Sequence, residues 1–223
     1  MPSPEPRRAG LLIGGGVFVL LLCGLSTVYF DRVAINYFLA ADPFSLKIFD
    51  AMTQWGDSLY SLLLGAGLYF GCRLRLRGKI DAAKRLWLER WQQRGLFLFV
   101  AVASSGLLTD LIKFICGRAR PVKLLTENLY GFSFFETSSK MTSFPSGHSN
   151  TAAAIALVVW YIWPKSWPLG LLLTGGVMLS RVALLKHYPS DTLAGAYLAV
   201  VTTFYLFHLF RRRYPALFTR GDL

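Results

Sequence analysis

Three short segments of the chain, residues 113–121, 144–149 and 180–191, hold an unusual concentration of Lys, Arg, His and Asp. Guanidinium groups bind phosphate oxygens in pairs, and a Lys ammonium adds a point charge. A Ser-Gly pair just before a helix offers backbone N–H groups to an anion. The segments therefore predict a phosphate site whose members would be Lys113, Arg120, Ser146, Gly147 and Arg181.

Two histidines, His148 and His187, lie in the same segments and suit acid–base or nucleophilic chemistry near neutral pH. Asp191 follows His187 by four residues, with Pro189 between them. An aspartate bonded to one ring nitrogen would fix the tautomer and leave the other nitrogen free to attack phosphorus. We therefore expect a phosphoryl pocket with a nucleophile, an orienting carboxylate and a separate acid.

Each residue taken alone has a simpler explanation. Lys113 and Arg120 are also typical of snorkelling side chains at a helix end, and Asp110 is placed to form an ion pair with Lys113. Arg118 is close by but less specific. Arg181 resists such an explanation because it lies inside an apolar stretch, where an unpaired cation is costly. The combination favours a site over a set of unrelated surface charges.

The composition indicates what must position these residues. The chain has 223 residues, 54% of them hydrophobic and only 16% charged, and its mean hydropathy is +0.44. These values exclude a disordered chain, a coiled coil and a disulfide scaffold, and they argue against a water-soluble globule. The three cysteines are widely spaced and predict neither a disulfide framework nor a metal site. We expect one membrane-embedded domain over residues 1–223.

Six uncharged runs predict an all-α bundle of six transmembrane helices. A spanning helix needs about 20 mostly apolar residues, which the first run supplies and the last run nearly supplies. The other four are shorter, and we extend them through their charged ends because ionisable groups at membrane depth usually face the bundle interior. The first run is predicted to be a retained anchor rather than a signal peptide, since it is long and lacks a cleavage site. The runs are residues 11–30, 58–72, 95–109, 149–164, 166–180 and 192–210.

The distribution of Lys and Arg predicts the orientation of the bundle. Most of them fall on one side if both termini are cytoplasmic, including the basic stretch 73–94. This arrangement explains the formal net charge of +12 without a nucleic-acid partner. It also places all three polar segments at the outer face. Asp42 and Pro43 predict the start of a further, interfacial helix on that side.

The spacing KxxxxxxRP, then PSGH, then SRxxxxxHxxxD resembles the three-part signature of the type 2 phosphatidic acid phosphatase superfamily. The match covers residues 113–191, and the six-span layout resembles its integral-membrane branch. The resemblance implies metal-independent hydrolysis of a phosphate monoester or pyrophosphate, with no cofactor. It implies that His187 is the nucleophile, Asp191 its partner and His148 the general acid. The phosphate would be bound by Lys113, Arg120, Ser146, Gly147 and Arg181.

From these observations we expect a lipid phosphatase of a bacterial inner membrane, acting on its outer face through a phosphohistidine. Leu129, Tyr130, Phe132, Phe134 and Phe135 could line an opening for acyl or prenyl chains, or form an aromatic belt. A phosphotransferase acting on a lipid acceptor remains the first alternative. An anion transporter would predict matched repeats, which are absent from the sequence, and a structural scaffold gives no reason for Arg181. Candidate substrates are phosphatidylglycerol phosphate, undecaprenyl pyrophosphate, phosphatidic acid and lipid A phosphate.

Overall fold

The computed structural model describes residues 6–218. Every extended regular element in this part of the chain is helical, with one isolated bridge between Arg118 and Phe132. A π-helical turn (Ser26–Phe30) joins the first two helices, and 3₁₀ turns occupy Gln54–Gly56, Pro164–Ser166 and Pro215–Phe218. The α-helices are α1 (Pro6–Leu25), α2 (Asp31–Leu39), α3 (Pro43–Thr53), α4 (Ser58–Arg75), α5 (Ala82–Cys116), α6 (Pro121–Glu127), α7 (Gly147–Ile162), α8 (Trp167–Ala183) and α9 (Pro189–Arg213).

Acidic N-caps fix the starts of three helices. Asp42 accepts hydrogen bonds from the backbone N–H groups of Phe44 and Ser45 and so begins α3, as its pairing with Pro43 predicts. Asp57 caps α4, and Asp81 caps α5. Helix α4 continues to Arg75, and the basic stretch 73–94 is therefore mostly helical, with a connection of only residues 76–81.

Small residues let the helices approach closely. A Cβ built on Gly65 of α4 would lie 2.9 Å from the carbonyl oxygen of Gly95 in α5, so this pair packs backbone against backbone. Helix α7 contacts α5, α8 and α9. Its Ala154 and Val158 are fully or nearly fully buried in a core that also includes Phe97. The signature segments are attached to these central helices.

Each of the six predicted spans coincides with a helix, and three stretches are long and apolar enough to cross a membrane. These are Gly10–Leu39, Ala82–Cys116 and Pro189–Arg213. Helix α7 has 16 residues and α8 has 17. At 1.5 Å per residue they rise roughly 24–26 Å, less than the ~30 Å hydrocarbon core of a bilayer. The helical fold is confirmed, and the six-span count stays a prediction.

Helices α5 and α8 end at the same end of the bundle at which α7 and α9 begin. The backbone N–H of Ser146, just before α7, donates to the carbonyl oxygen of Asp191 in α9 at 2.9 Å. The carbonyl oxygen of Arg118, after α5, accepts from the N–H of Ser143 at 2.9 Å. Residues distant in sequence are thereby joined by backbone hydrogen bonds at one end of the molecule.

Candidate active site

The first signature segment is held by the loop that follows it. The backbone N–H groups of Phe134 and Phe135 donate to the carbonyl oxygens of Cys116 and Ile115, the last residues of α5. Both phenylalanines have positive φ, 40° and 55°, which costs energy for a bulky residue. The bonds to otherwise unpaired helix carbonyls compensate for it. Gly117 ends the helix in the left-handed conformation, so the chain turns sharply towards Arg120.

The second and third segments meet at the start of α7. The Ser146 hydroxyl caps the helix by accepting from the N–H of Ser149. A Cβ on Gly195 of α9 would lie 2.2 Å from the carbonyl oxygen of Ser146. Only glycine permits this approach. Gly195 therefore sets the distance between the PSGH segment and the helix that carries Asp191.

His187 is 3% exposed and lies in the connection between α8 and α9. Its Nδ1 is 2.8 Å from the carbonyl oxygen of Ser143 and 3.7 Å from Oδ2 of Asp191. A carbonyl only accepts, so Nδ1 carries the proton and Nε2 keeps its lone pair. The sequence led us to expect a direct bond to Asp191. The structure instead places the carboxylate nearby and gives the tautomer-fixing contact to the backbone of Ser143, a residue that the sequence analysis missed.

Burial lowers the pKa of His187 to about 4. The nearby carboxylate of Asp191 opposes this shift, and the cations Arg120 and Arg181 reinforce it. The ring is therefore neutral at pH 7, the protonation state that a nucleophile requires.

Asp191 is fully buried and its oxygens are saturated with donors. Oδ2 accepts from the Ser143 hydroxyl at 2.6 Å and from the backbone N–H of Tyr188 at 2.8 Å. Oδ1 accepts from Nη1 of Arg118 at 2.5 Å. The carboxylate is consequently paired with Arg118 and immobile beside His187.

The guanidinium groups of Arg120 and Arg181 are close enough to repel each other electrostatically. Neither forms a salt bridge with an acid among residues 6–218, and the Nε of each is buried with no hydrogen-bond partner there. Arg181 donates one bond, from Nη1 to the Thr53 hydroxyl at 2.8 Å. Buried donors normally have partners. These two guanidinium groups thus present unsatisfied N–H groups that suit a phosphate.

Lys113 and His148 complete the set. The Lys113 ammonium pairs with Asp110 at 2.8 Å, which confirms the expected ion pair. It would lie 3.2 Å from a Cβ on Gly147, so the first two signature segments touch. His148 is half-buried against Gly56, where an added Cβ would be 2.9 Å from the Cβ of His148. Thr53 and Gly56 belong to a wall of the site that the sequence analysis missed.

Residues 94–215, more than half of the chain, match the PAP2 superfamily. The chain belongs to the PAP2 superfamily. This confirms the resemblance inferred from the three segments.

Curated relatives in the PAP2 superfamily include two lipid A 1-phosphatases. The one from Rhizobium etli is 32% identical over 152 residues, which cover 66% of this chain and 63% of that protein. The one from Rhizobium johnstonii is also 32% identical, with 66% and 60% covered. The match therefore spans less than two thirds of these relatives. The catalytic subunit AUR1 of inositol phosphorylceramide synthase from Saccharomyces cerevisiae is 38% identical over 85 residues, covering 38% of this chain and 21% of that protein.

The fold resembles that of a solved PAP2 protein. The crystal structure of a transmembrane PAP2 type phosphatidylglycerolphosphate phosphatase from Bacillus subtilis superposes with a TM-score of 0.62 at 22% identity. The superposition covers 95% of this chain and 98% of that one. It shows that the two chains share the same helical fold over the superposed residues.

The contacts of Tyr130 and Arg118 could not be predicted from the sequence. Tyr130, expected to line an opening for lipid chains or to join a belt, instead donates its hydroxyl to the carbonyl oxygen of Thr27 at 2.7 Å. Arg118 is fully buried behind Asp191. Phe134 and Phe135 are exposed, at 62% and 68%, as an opening or an aromatic belt requires.

The site brings the neutral, buried ring of His187 close to the cations Arg120 and Arg181. Within residues 6–218, no three His, Cys, Asp or Glu side chains form a group that could hold a metal ion. The arrangement can bind a phosphoryl group, attack it through Nε2 of His187 and stabilise the developing charge.

Proposed function

We propose that this protein is a metal-independent phosphatase that hydrolyses a lipid phosphate or pyrophosphate through a phosphohistidine. One observation carries the proposal. The buried, neutral His187 has its Nδ1 proton bonded to Ser143, next to the unsatisfied guanidinium groups of Arg120 and Arg181. A nucleophile and an anion clamp are thereby combined in one pocket.

In the first step Nε2 of His187 attacks phosphorus. A P–N bond forms, and the P–O bond to the leaving group breaks. Lys113, Arg120 and Arg181, with the N–H groups at Ser146 and Gly147, stabilise the charge on the equatorial oxygens. His148 gives its proton to the leaving oxygen, so the lipid departs as an alcohol or a lower phosphate.

In the second step water attacks the phosphohistidine. His148, now neutral, accepts a proton from that water. The new P–O bond forms as the P–N bond breaks, which releases phosphate and restores the neutral ring of His187. The carbonyl oxygen of Ser143 keeps Nδ1 protonated and oriented in both steps, so the ring presents the same nitrogen each time.

The surroundings of the pocket favour a lipid substrate. An apolar cavity of about 100 Å³, lined in part by Trp55, Ala152 and Val177, adjoins the part of the wall where Gly56 meets His148 and Val177. Phe134 and Phe135 are exposed on the loop that caps α5. Two of the relatives named above are lipid A 1-phosphatases, which supports the same class. Candidate substrates are lipid A phosphate, phosphatidylglycerol phosphate, phosphatidic acid and undecaprenyl pyrophosphate.

We further propose that residues 1–223 form one domain with six spans and with the site on the extracytoplasmic side of a bacterial inner membrane. The excess of Lys and Arg in the stretch 73–94 and in the last turn of α9 supports cytoplasmic termini. Those termini, residues 1–5 and 219–223, lie outside the described part of the chain. Short α7 and α8 can span if they are flanked by polar residues at the interface.

A phosphotransferase is the second candidate, because an alcohol can replace water in the second step. The likeness to the catalytic subunit of inositol phosphorylceramide synthase favours it. An anion transporter has less support, since transport would not need the fixed tautomer of His187.

The test is a release assay for inorganic phosphate with purified protein, a panel of the four candidate lipids, and excess chelator. Wild type should release phosphate from at least one lipid, and His187→Ala should release none. A diacylglycerol or ceramide acceptor added in excess distinguishes the two candidates. A phosphatase still releases free phosphate, whereas a transferase converts the acceptor. No phosphate release and no transfer by wild type would contradict both.

A further inference from the structure

A chain of buried charges lies directly behind Asp191. Nη1 of Arg118 donates to Oδ1 of Asp191 at 2.5 Å, and Nη2 of the same guanidinium donates to Oδ2 of Asp31 at 2.7 Å. All three side chains are fully buried. Asp31 begins α2, and its sequence position is 87 residues away from Arg118. None of the steps above uses Asp31 or Arg118.

Both carboxylate oxygens of Asp31 accept hydrogen bonds in addition to the one from Arg118. Its Oδ1 accepts from the Ser26 hydroxyl at 2.7 Å and from the backbone N–H of Ser190 at 3.1 Å. Its Oδ2 also accepts from the Ser190 hydroxyl at 2.5 Å. These donors hold the carboxylate in a fixed position against the guanidinium group of Arg118.

Burying the carboxylate of Asp31 costs desolvation free energy, and the backbone next to it has an irregular helical geometry. Asp31 lies in the apolar stretch Gly10–Leu39 that is long enough to cross a membrane. Directly before it the helix widens into a π-helical turn, Ser26–Phe30, a distortion that is frequent at functional sites. Burying a second carboxylate against one guanidinium does not maximise stability, because desolvation opposes the attraction. A role in the reaction explains the arrangement better.

The balance of charge indicates that role. Asp31 and Asp191 carry two negative charges and Arg118 one positive charge, so the cluster has a net charge of about −1. Without Asp31, the charge of Asp191 would be neutralised by Arg118. Asp31 neutralises the guanidinium and leaves a net negative charge beside His187.

A negative charge beside His187 matters because the charge of the imidazole ring changes when Nε2 attacks phosphorus. His187 enters the step neutral, with a proton on Nδ1. Forming the P–N bond at Nε2 turns the ring into a phosphorylated imidazolium with a positive charge. The charged groups that act on it are Asp191 of α9, Arg120 after α5 and Arg181 of α8, and the titratable ring of His148 of α7 is also close by. The cations disfavour the imidazolium, and the cluster behind Asp191 compensates.

We propose that Asp31 is a positioning residue that holds and neutralises Arg118, so that the Asp191 carboxylate stabilises the positive charge that develops on His187. This inference rests on the proposed function in treating His187 as the nucleophile. It concerns a different part of the chain and a different measurement.

The first experiment compares Asp31→Asn with wild type. The amide keeps the shape and removes one charge. We expect kcat for lipid phosphate to fall about 10- to 100-fold, the loss that is typical when a group that orients the ligands of a metal site is mutated. KM should be unchanged because Asp31 does not touch the phosphate. Glu89→Gln is the matched control, since Glu89 is an exposed partner of Arg85, and it should match wild type. An Asp31→Asn enzyme with normal kcat would overturn the inference.

The second experiment does not depend on turnover. The chain has three histidines, so ¹⁵N-histidine NMR in detergent micelles can follow each ring, with His187→Ala assigning the signal. The pKa of His187 should be lower in Asp31→Asn than in wild type, because the imidazolium loses a compensating charge. An unchanged pKa would overturn the inference even if kcat fell, since the loss would then be structural.

A double variant tests the inference even if Asp31→Asn alone fails to fold. Asp31→Asn combined with Arg118→Gln removes both charges of a buried pair, which proteins tolerate better than removal of one. Asp191 then keeps its own charge, and the pKa of His187 should return towards the wild-type value. A pKa as low as that of Asp31→Asn would overturn the inference. Failure of the proposed function would show separately, as phosphate release that survives in His187→Ala.

Discussion

Nδ1 of His187 is 2.8 Å from the carbonyl oxygen of Ser143 and 3.7 Å from the closer oxygen of Asp191. A backbone carbonyl cannot be titrated or mutated away. The tautomer with Nε2 free therefore persists whatever the protonation state of Asp191. The carboxylate is left to act through its charge, and Ser143 joins the two by donating its hydroxyl to Asp191.

The acid limb of the pH profile should lie far below that of an ordinary histidine. Burial lowers the pKa of His187 to about 4, against an ordinary value near 6.5. The reactive form is neutral, so activity should persist as the pH falls through 6.5 and be lost only as it passes about 4. The measurement is kcat/KM for an aryl phosphate, whose leaving group needs no proton, after correction for the ionisation of the substrate. A limb near 6.5 would mean that the free enzyme has a solvated His187.

Arg181→Lys should reduce kcat/KM by roughly 10- to 150-fold. A Lys ammonium cannot reproduce the two parallel N–H groups of the guanidinium, and one hydrogen bond to a charged group is worth about 1.5–3 kcal/mol. The buried, unpaired Nε of Arg181 makes this loss specific to the anion. Arg85→Lys on the exposed face of α5 is the control and should be neutral. Near-normal kinetics for Arg181→Lys would identify Arg181 as a structural cation.

Residues within one signature segment could be predicted from sequence, whereas contacts between distant segments could not. Arg181, His187 and Asp191 lie within 11 residues, and the turn between α8 and α9 is enough to bring them together. Thr53 reaches Arg181 only through the packing of α3 against α8. No local pattern records that packing.

Asp31 did leave a signal in the sequence. It directly follows a run of 20 uncharged residues, 11–30. An acid at membrane depth is by default a functional candidate. Its partner Arg118 could not be named, because the two residues are 87 positions apart in the sequence and several other cations were equally available. The number of spans was harder to predict. Composition located the helices, but it did not give the depth at which α7 and α8 lie in the membrane.

Gly195→Ala should destabilise the protein and lower its activity together. The new Cβ would lie 2.2 Å from the Ser146 carbonyl oxygen, and forcing extra volume into a packed contact costs about 1–3 kcal/mol. The PSGH segment would move away from Asp191. Gly71→Ala in α4, where an added Cβ meets nothing within 4 Å, is the control and should be neutral or slightly stabilising. The measurements are thermal midpoint in detergent and phosphate release. Equal midpoints for both variants would show that α9 can shift without cost.

The topology can be checked with reporter fusions. A reporter fused after residue 138, between α6 and α7, should be active only outside the cytoplasm. One fused after residue 80, in the basic connection between α4 and α5, should be active only inside, because Lys and Arg are retained there. The reverse pattern would place the pocket on the cytoplasmic face and leave its chemistry unchanged.

The two histidines should differ in their response to the leaving group. His187→Ala should abolish turnover of every substrate, since no other side chain in the pocket forms the covalent intermediate. His148→Ala should be nearly inactive on an alkyl lipid phosphate, whose leaving oxygen needs a proton. With a nitrophenyl phosphate the first step should survive in His148→Ala, because that leaving group departs without a proton.

Hydrolysis of the phosphoenzyme in His148→Ala should then be slow, since the base that activates water is missing. An acid-labile, base-stable label should therefore accumulate on His187 in His148→Ala and be absent from His187→Ala. A label in His187→Ala and none in His148→Ala would exchange the two roles.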